Sequence, residues 1–168
     1  MQLTEYFLAQ LEREASLTRK TIERVPEGHN TFKPHERSME LGYLAALVAG
    51  MPGWIALMIE TDELNFDDPS SVAFRTRPVA SKAELLALCD TAIANSRRAL
   101  NATNDEHLEK PWAFKMGGKA VSEGPRRLMI ADAVFSHLAH HRGQLTVYLR
   151  LVESKVPALF GPSADEHF

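Results

Sequence analysis

A chain of 168 residues, 45% hydrophobic and 24% charged, has the size and make-up of one ordinary globular domain, which excludes disorder as its default state. A formal net charge of −3 excludes the clustered basic excess of a nucleic-acid-binding surface, and the short pairs Arg97-Arg98 and Arg126-Arg127 read as solvated helix surface. The single cysteine, Cys89, excludes an intramolecular disulfide and a thiolate metal cluster.

The N-terminal segment MQLTE carries an early acid where a secretory signal has basic and then apolar residues. No apolar run approaches the roughly 18 residues that span a bilayer. A cytoplasmic protein without a membrane segment is the expectation, as one domain over 1–168.

The first helix is expected from about Thr4, as N-cap, to Val25. Phe7, Leu11, Ala15, Thr18, Ile22 and Val25 recur at three- and four-residue steps, the spacing of one buried helical face. Pro26-Glu27-Gly28 ends it, because proline cannot continue a helix and glycine accepts left-handed geometry. The second helix begins near Ser38 and buries Leu41, Leu44, Ala45, Leu47, Val48 and Met51. Pro52-Gly53 bends it, since an interior proline removes a backbone hydrogen bond, and Trp54, Ile55, Met58 and Ile59 resume the pattern. The stretch from Thr61 to Pro78, rich in Asp, Ser and Pro, reads as a long surface connection that crosses the helices.

Ser81-Lys82-Ala83-Glu84 fits a capping box opening a third helix that runs to about Thr103. Leu85, Leu88, Cys89, Ala92, Ile93, Ser96 and Leu100 face inward on it. Between Lys110 and Glu123 the period changes to alternation, through Trp112, Phe114 and Met116, and Gly117-Gly118 supplies a turn, so a small β-hairpin is expected there. The fourth helix runs from about Pro125 to Ser154. Its apolar stripe is Ile130, Val134, His137, Leu138, His141, Leu145, Tyr148, Leu149 and Val152, while Arg142 and Arg150 fall on the outward face. The tail from Val156 to Phe168 is irregular, with Leu159 and Phe160 packing back. These elements predict an all-α four-helix bundle with a β-hairpin between helices three and four.

Residues four apart on a helix stack on one face, so His137 and His141 present two imidazoles side by side, a spacing that suits a divalent metal. A histidine on an apolar stripe is otherwise a hydrogen-bonded core residue. His140 points off the stripe, and His29, His35, His107 and His167 read as exposed polar residues.

HLAHHRGQ over 137–144, continuing as LTVYLR over 145–150, resembles the last-helix signature of the DinB-like/YfiT four-helix-bundle superfamily. KPHERSM over 33–39 resembles the lead-in to its second helix, and FGPSADE over 160–166 the ending of one of its branches. The resemblance implies an up-down-down-up bundle, a homodimer, and a divalent metal, zinc or nickel, held by one histidine of the second helix and two of the fourth. It also implies metal-dependent hydrolase or thiol-dependent transferase chemistry on a small-molecule substrate.

One position departs from that pattern. In the family's register Leu47 stands where the second-helix histidine belongs, no histidine occurs between His35 and His107, and leucine cannot ligate a metal. Glu40 lies two turns away, Tyr43 and Met51 are poor ligands, and Cys89 reads first as a small buried apolar residue. The site is therefore degenerate, with His137 and His141 as its metal ligands and any metal weak or absent. The alternative is a non-catalytic dimeric binding or structural bundle, in which Leu47 closes the pocket and the histidines bond to each other, to Tyr148 or to buried water. A thinner third reading makes a histidine a general base.

Overall fold

The apolar spacing of the first segment produces α1, Leu3–Glu23, in the computed structural model, which describes residues 2–167 of the domain expected over 1–168; Met1 and Phe168 lie outside the described residues. Its buried face is Phe7, Leu11, Ala15, Thr18 and Ile22. Gln2, rather than Thr4, takes the N-cap position, with Glu5 accepting from the Gln2 amide at 3.2 Å. The next free amides, of Leu3 and Thr4, donate to the carboxylate of Asp105 at 2.9 and 3.2 Å. An acid so far along the chain substitutes for a local cap, which local spacing cannot reveal.

The second helical stretch is α2, Leu41–Gly50, a single 3₁₀ turn over Met51–Gly53, and α3, Trp54–Glu60. Glu40, not Ser38, occupies the N-cap position. The bend at Pro52 is realised, and its chemistry is specific. The hydroxyl of Ser96 accepts from Ala56 N at 3.2 Å and donates to Pro52 O at 2.7 Å. It thereby inserts between the two groups that an unbroken helix would have bonded directly. Ser96 can reach them because Gly53 allows close approach: a Cβ there would stand 3.3 Å from that of Ala92. Despite the bend, Leu41–Glu60 is long and apolar enough to cross a membrane, which corrects the expectation that no apolar run approaches that length. Its most apolar window is 72% buried inside the protein, which is the behaviour of a core helix.

α4, Lys82–Ala102, packs against α1, α2 and α3. Ser81 caps it by accepting from Glu84 N at 3.2 Å, while the Glu84 carboxylate accepts from Ala80 N at 2.9 Å, one residue outside the expected capping box. A short α5, Asp105–Glu109, leads to the sheet.

The expected hairpin is present as β2, Pro111–Met116, antiparallel to β3, Lys119–Pro125, with both turn glycines at positive φ. It is not alone. The connection expected to be irregular contributes β1, Glu63–Asn65, which pairs parallel with β2 and makes a three-stranded sheet. Three residues are too few to show alternation, so β1 exists only because β2 offers it an edge. Farther along the same connection, Asp67 accepts from the amides of Gly117 and Gly118 at 3.1 and 2.8 Å, fastening the hairpin tip. The protein is thus mostly helical with a small sheet rather than all-α.

The last helical stretch is α6, Arg126–Met129, a π-helical segment over Ile130–Ser136, and α7, His137–Leu151. α7 packs against α2 and α1. It stops short of Ser154, where Glu153 takes a positive φ.

Two expectations about exposure are corrected, and the depth of Trp112 is settled. Arg126 is 1% exposed rather than solvated, Arg142 is 1% exposed rather than outward-facing, and Trp112 is buried, its Nε1 donating to Thr61 Oγ1 at 3.1 Å. In the tail, Ala158 is buried, while Phe160 lies largely exposed with the guanidinium groups of Arg13 and Arg142 over its ring.

Candidate functional site

The π-helical segment delivers the chain to α7 with His137 and His141 turned toward a cavity of about 620 Å³. α2 contributes Tyr43 and Leu47 to its wall, and α3 contributes Trp54, Leu57 and Met58. The sheet adds Leu64, Trp112, Phe114 and Ser122, and the connection after β1 adds Phe66, Phe74, Arg75 and Thr76. Met39, Met129 and Ala133 complete it. A pocket of this size, apolar with a few convergent polar groups, is the usual form of a small-molecule site.

The histidines form one hydrogen-bonded chain. Gln144 Nε2 donates to His140 Nε2 at 3.0 Å, which turns its amide oxygen toward His141. His141 Nδ1 donates to that oxygen at 2.7 Å. With its one proton on Nδ1, neutral His141 offers a bare Nε2, which accepts from His137 Nε2 at 2.8 Å. His141 is buried, and that burial holds its pKa below the usual histidine value, against the opposing bond from Gln144; the neighbouring imidazoles push the same way as burial. The indole of Trp54 stands against His137, ring centroids 5.8 Å apart.

Leu47 lines the same cavity. Among the described residues, no three His, Cys, Asp or Glu side chains come together in a way that would hold an ion. The three-histidine centre implied by the resemblance does not fit this donor set: one donor is a hydrocarbon, and the Nε2 atoms of the other two face each other across a hydrogen bond.

Of the substitutes weighed for the missing ligand, Tyr43 reaches the cavity, whereas Glu40, Met51 and Cys89 are not part of its lining. Cys89 is fully buried, and burial, with Asp90 adding to it, pushes its thiol up to about 12. A thiol this far from thiolate is inert. The native protein is therefore expected to leave Cys89 unmodified by an aromatic disulfide reagent at pH 8 and to react fully once unfolded in guanidinium; stoichiometric reaction of the native protein would contradict its placement.

Tyr148 does not join the histidines; its hydroxyl donates to Met39 O at 3.2 Å. His140 is exposed, as expected. His107 is not simply exposed: it is half-buried on α5, and its Nε2 donates to Ile59 O at 2.9 Å, closing the end of α3. Sequence reasoning missed Arg75, Thr76 and the aromatic wall. Phe66, Phe74 and Arg75 belong to a connection with no periodicity, and only the pairing of β1 with β2 brings it over the histidines.

The sequence pattern of the DinB family matches residues 1–166. The chain is 23% identical over 167 residues to the uncharacterized protein YrdA of Bacillus subtilis (strain 168), an alignment covering 98% of this chain and 92% of that one. Its fold is similar to that of a DinB-like protein from Bacillus cereus, with a TM-score of 0.69 at 20% identity over 92% of this chain and 95% of the other. A second DinB-like protein, from Bacillus subtilis, superposes with a TM-score of 0.66 at 19% identity over 89% of this chain and 94% of the other.

Proposed function

The chain belongs to the DinB family, and on that premise we propose that it is a four-helix-bundle protein, ordered up-down-down-up and homodimeric, whose interior cavity binds a small molecule and whose histidine pair holds zinc or nickel only weakly. The observation that carries this reading is the direct Nε2–Nε2 contact of 2.8 Å between His137 and His141, with Leu47 on the wall they face. Two imidazoles leave a divalent ion short of the three protein ligands that catalytic zinc sites use. To bind one, the pair would first have to give up its mutual hydrogen bond. A large apolar cavity with an intact polar floor is what remains useful once tight metal binding is lost. This favours the binding protein over the metal-dependent hydrolase or transferase.

Restoring the missing donor tests the reading. Structural zinc sites bind with about 10–16 kcal/mol from four ligands, so one added imidazole is expected to raise affinity on the order of a hundredfold. Leu47→His should therefore bind zinc or nickel far more tightly than the parent in competition with a chromophoric chelator. The parent, purified without a polyhistidine tag, should carry substoichiometric metal. Stoichiometric metal in the parent, lost on His141→Ala, would overturn the proposal in favour of a metalloenzyme. No gain on Leu47→His would show that Leu47 does not stand at the third-ligand position.

A further inference from the structure

The cavity carries information about the charge and shape of what it holds, an inference that rests on its being a binding site. Among the described residues, no aspartate or glutamate lines it, and Arg75 is the only arginine or lysine on its wall. That guanidinium is held rather than loose: Nη2 donates to Phe66 O at 2.7 Å, and the group lies 5.3 Å from the centre of the Phe66 ring. Among the described residues the Arg75 guanidinium has no ion-pair partner and no further hydrogen bond, so Nε and Nη1 stay available to an acceptor. The acid nearest to it in sequence, Asp68, accepts from Ser70 N at 2.8 Å, and Asp67, which feels the Arg75 charge without pairing with it, is engaged by the amides of the hairpin tip. Tyr43, Trp54, Phe66, Phe74, Trp112 and Phe114 give the apolar wall a large aromatic share, which suits a flat apolar body.

We infer that the cavity takes an aromatic monoanion, its ring system among the aromatic side chains and its single acid group on the guanidinium of Arg75. An anion gains a charge-assisted hydrogen bond there, whereas a cation of the same shape meets repulsion with no carboxylate to offset it. The volume of about 620 Å³ is that of a pocket for a drug-sized ligand rather than for a short aliphatic acid.

Two fluorescent probes with the same ring system separate the charge from the shape. 1-Anilinonaphthalene-8-sulfonate carries one sulfonate, and N-phenyl-1-naphthylamine is its neutral counterpart. Titrated into the full chain, the sulfonate is expected to bind about tenfold more tightly than the neutral amine, the factor that one charge-assisted hydrogen bond supplies. Arg75→Gln should remove that advantage and leave the neutral amine unchanged. Ala133→Trp should abolish binding of both by filling the cavity; Ser122→Trp, on the exposed strand β3, serves the same purpose should the first variant fail to fold. Equal binding of the two probes, insensitive to Arg75→Gln, would overturn the anion assignment while leaving the cavity a binding site. Failure of both probes to bind would overturn the cavity reading itself, as would binding that survives a cavity-filling substitution in a folded variant.

Discussion

Arg126→Ala is expected to lower the free energy of unfolding by about 3–5 kcal/mol, the usual cost of deleting one member of a buried charged network. All five guanidinium protons are placed. Nε donates to Met58 O at 2.7 Å, Nη1 to Lys110 O and Pro111 O at 3.2 and 2.8 Å, and Nη2 to Thr61 O and Asp62 Oδ1 at 2.9 and 2.7 Å. Those acceptors belong to α3, the chain leaving it and the start of β2, so one side chain on α6 ties the helical body to the sheet. The Asp62 ion pair is not the source of the effect, because the Asp62 side chain is 97% exposed and its charge is solvated. The cost comes from the carbonyls, which lose a charged donor in a site where water enters poorly. Arg126→Lys should recover only a small part of it, since a single ammonium cannot span acceptors set around a planar fork. Denaturant melts monitored by circular dichroism measure both variants, and a loss below about 1 kcal/mol for Arg126→Ala would show that water replaces the guanidinium without penalty.

The second large effect is expected at Arg142, and it should depend on what stands opposite. Arg142 Nη1 lies 2.6 Å from Glu14 Oε2 with both side chains almost wholly buried, and it also donates to Thr18 Oγ1 at 3.2 Å. Gln10 Nε2 donates to the other Glu14 oxygen at 3.2 Å. The pair is close but poorly aligned, leaving Glu14 Oε2 and Arg142 Nη2 without a well-directed hydrogen bond. Arg142→Met strands a carboxylate inside the protein and is expected to cost about 3–5 kcal/mol. The double variant Glu14→Leu with Arg142→Met removes the stranded charge and should recover most of that loss, because apolar replacements of buried ion pairs are often neutral. Were the double variant as unstable as the single one, lost packing rather than an uncompensated charge would be the cause.

Arg126 and Arg142 show why part of this protein was illegible in one dimension. An arginine beside another basic residue or on the outward side of a helical wheel reads as solvated, since burial of a guanidinium is rare and demands partners. The partners are Met58, Thr61, Lys110 and Pro111 in one case and Glu14 and Thr18 in the other, all distant in sequence. The burial of Trp112 was undecided for the same reason, because the depth of a strand residue depends on what covers the strand. The boundaries of α1 and α2 shifted by a few residues where a distant group, Asp105 for α1, satisfied the first amides in place of a local cap. The site itself was half legible: the histidine pair and the leucine opposite were readable from the motif, while the aromatic wall and Arg75 were not.

What the sequence by itself determined is everything governed by neighbours within a turn or two. Helical periodicity, the bend at Pro52, the glycine turn of the hairpin and the stacking of His137 on His141 depend on local dihedral preferences and on 3.6-residue spacing, both properties of short segments. Only the tertiary structure decided that β1 exists, that Ser96 fills the break at Pro52, that two arginines are interior, and that Leu47, the imidazoles and Arg75 surround one cavity. Those outcomes rest on hydrogen-bond partners and excluded water supplied by segments far apart in the chain, and burial sets their strength only after the segments have met.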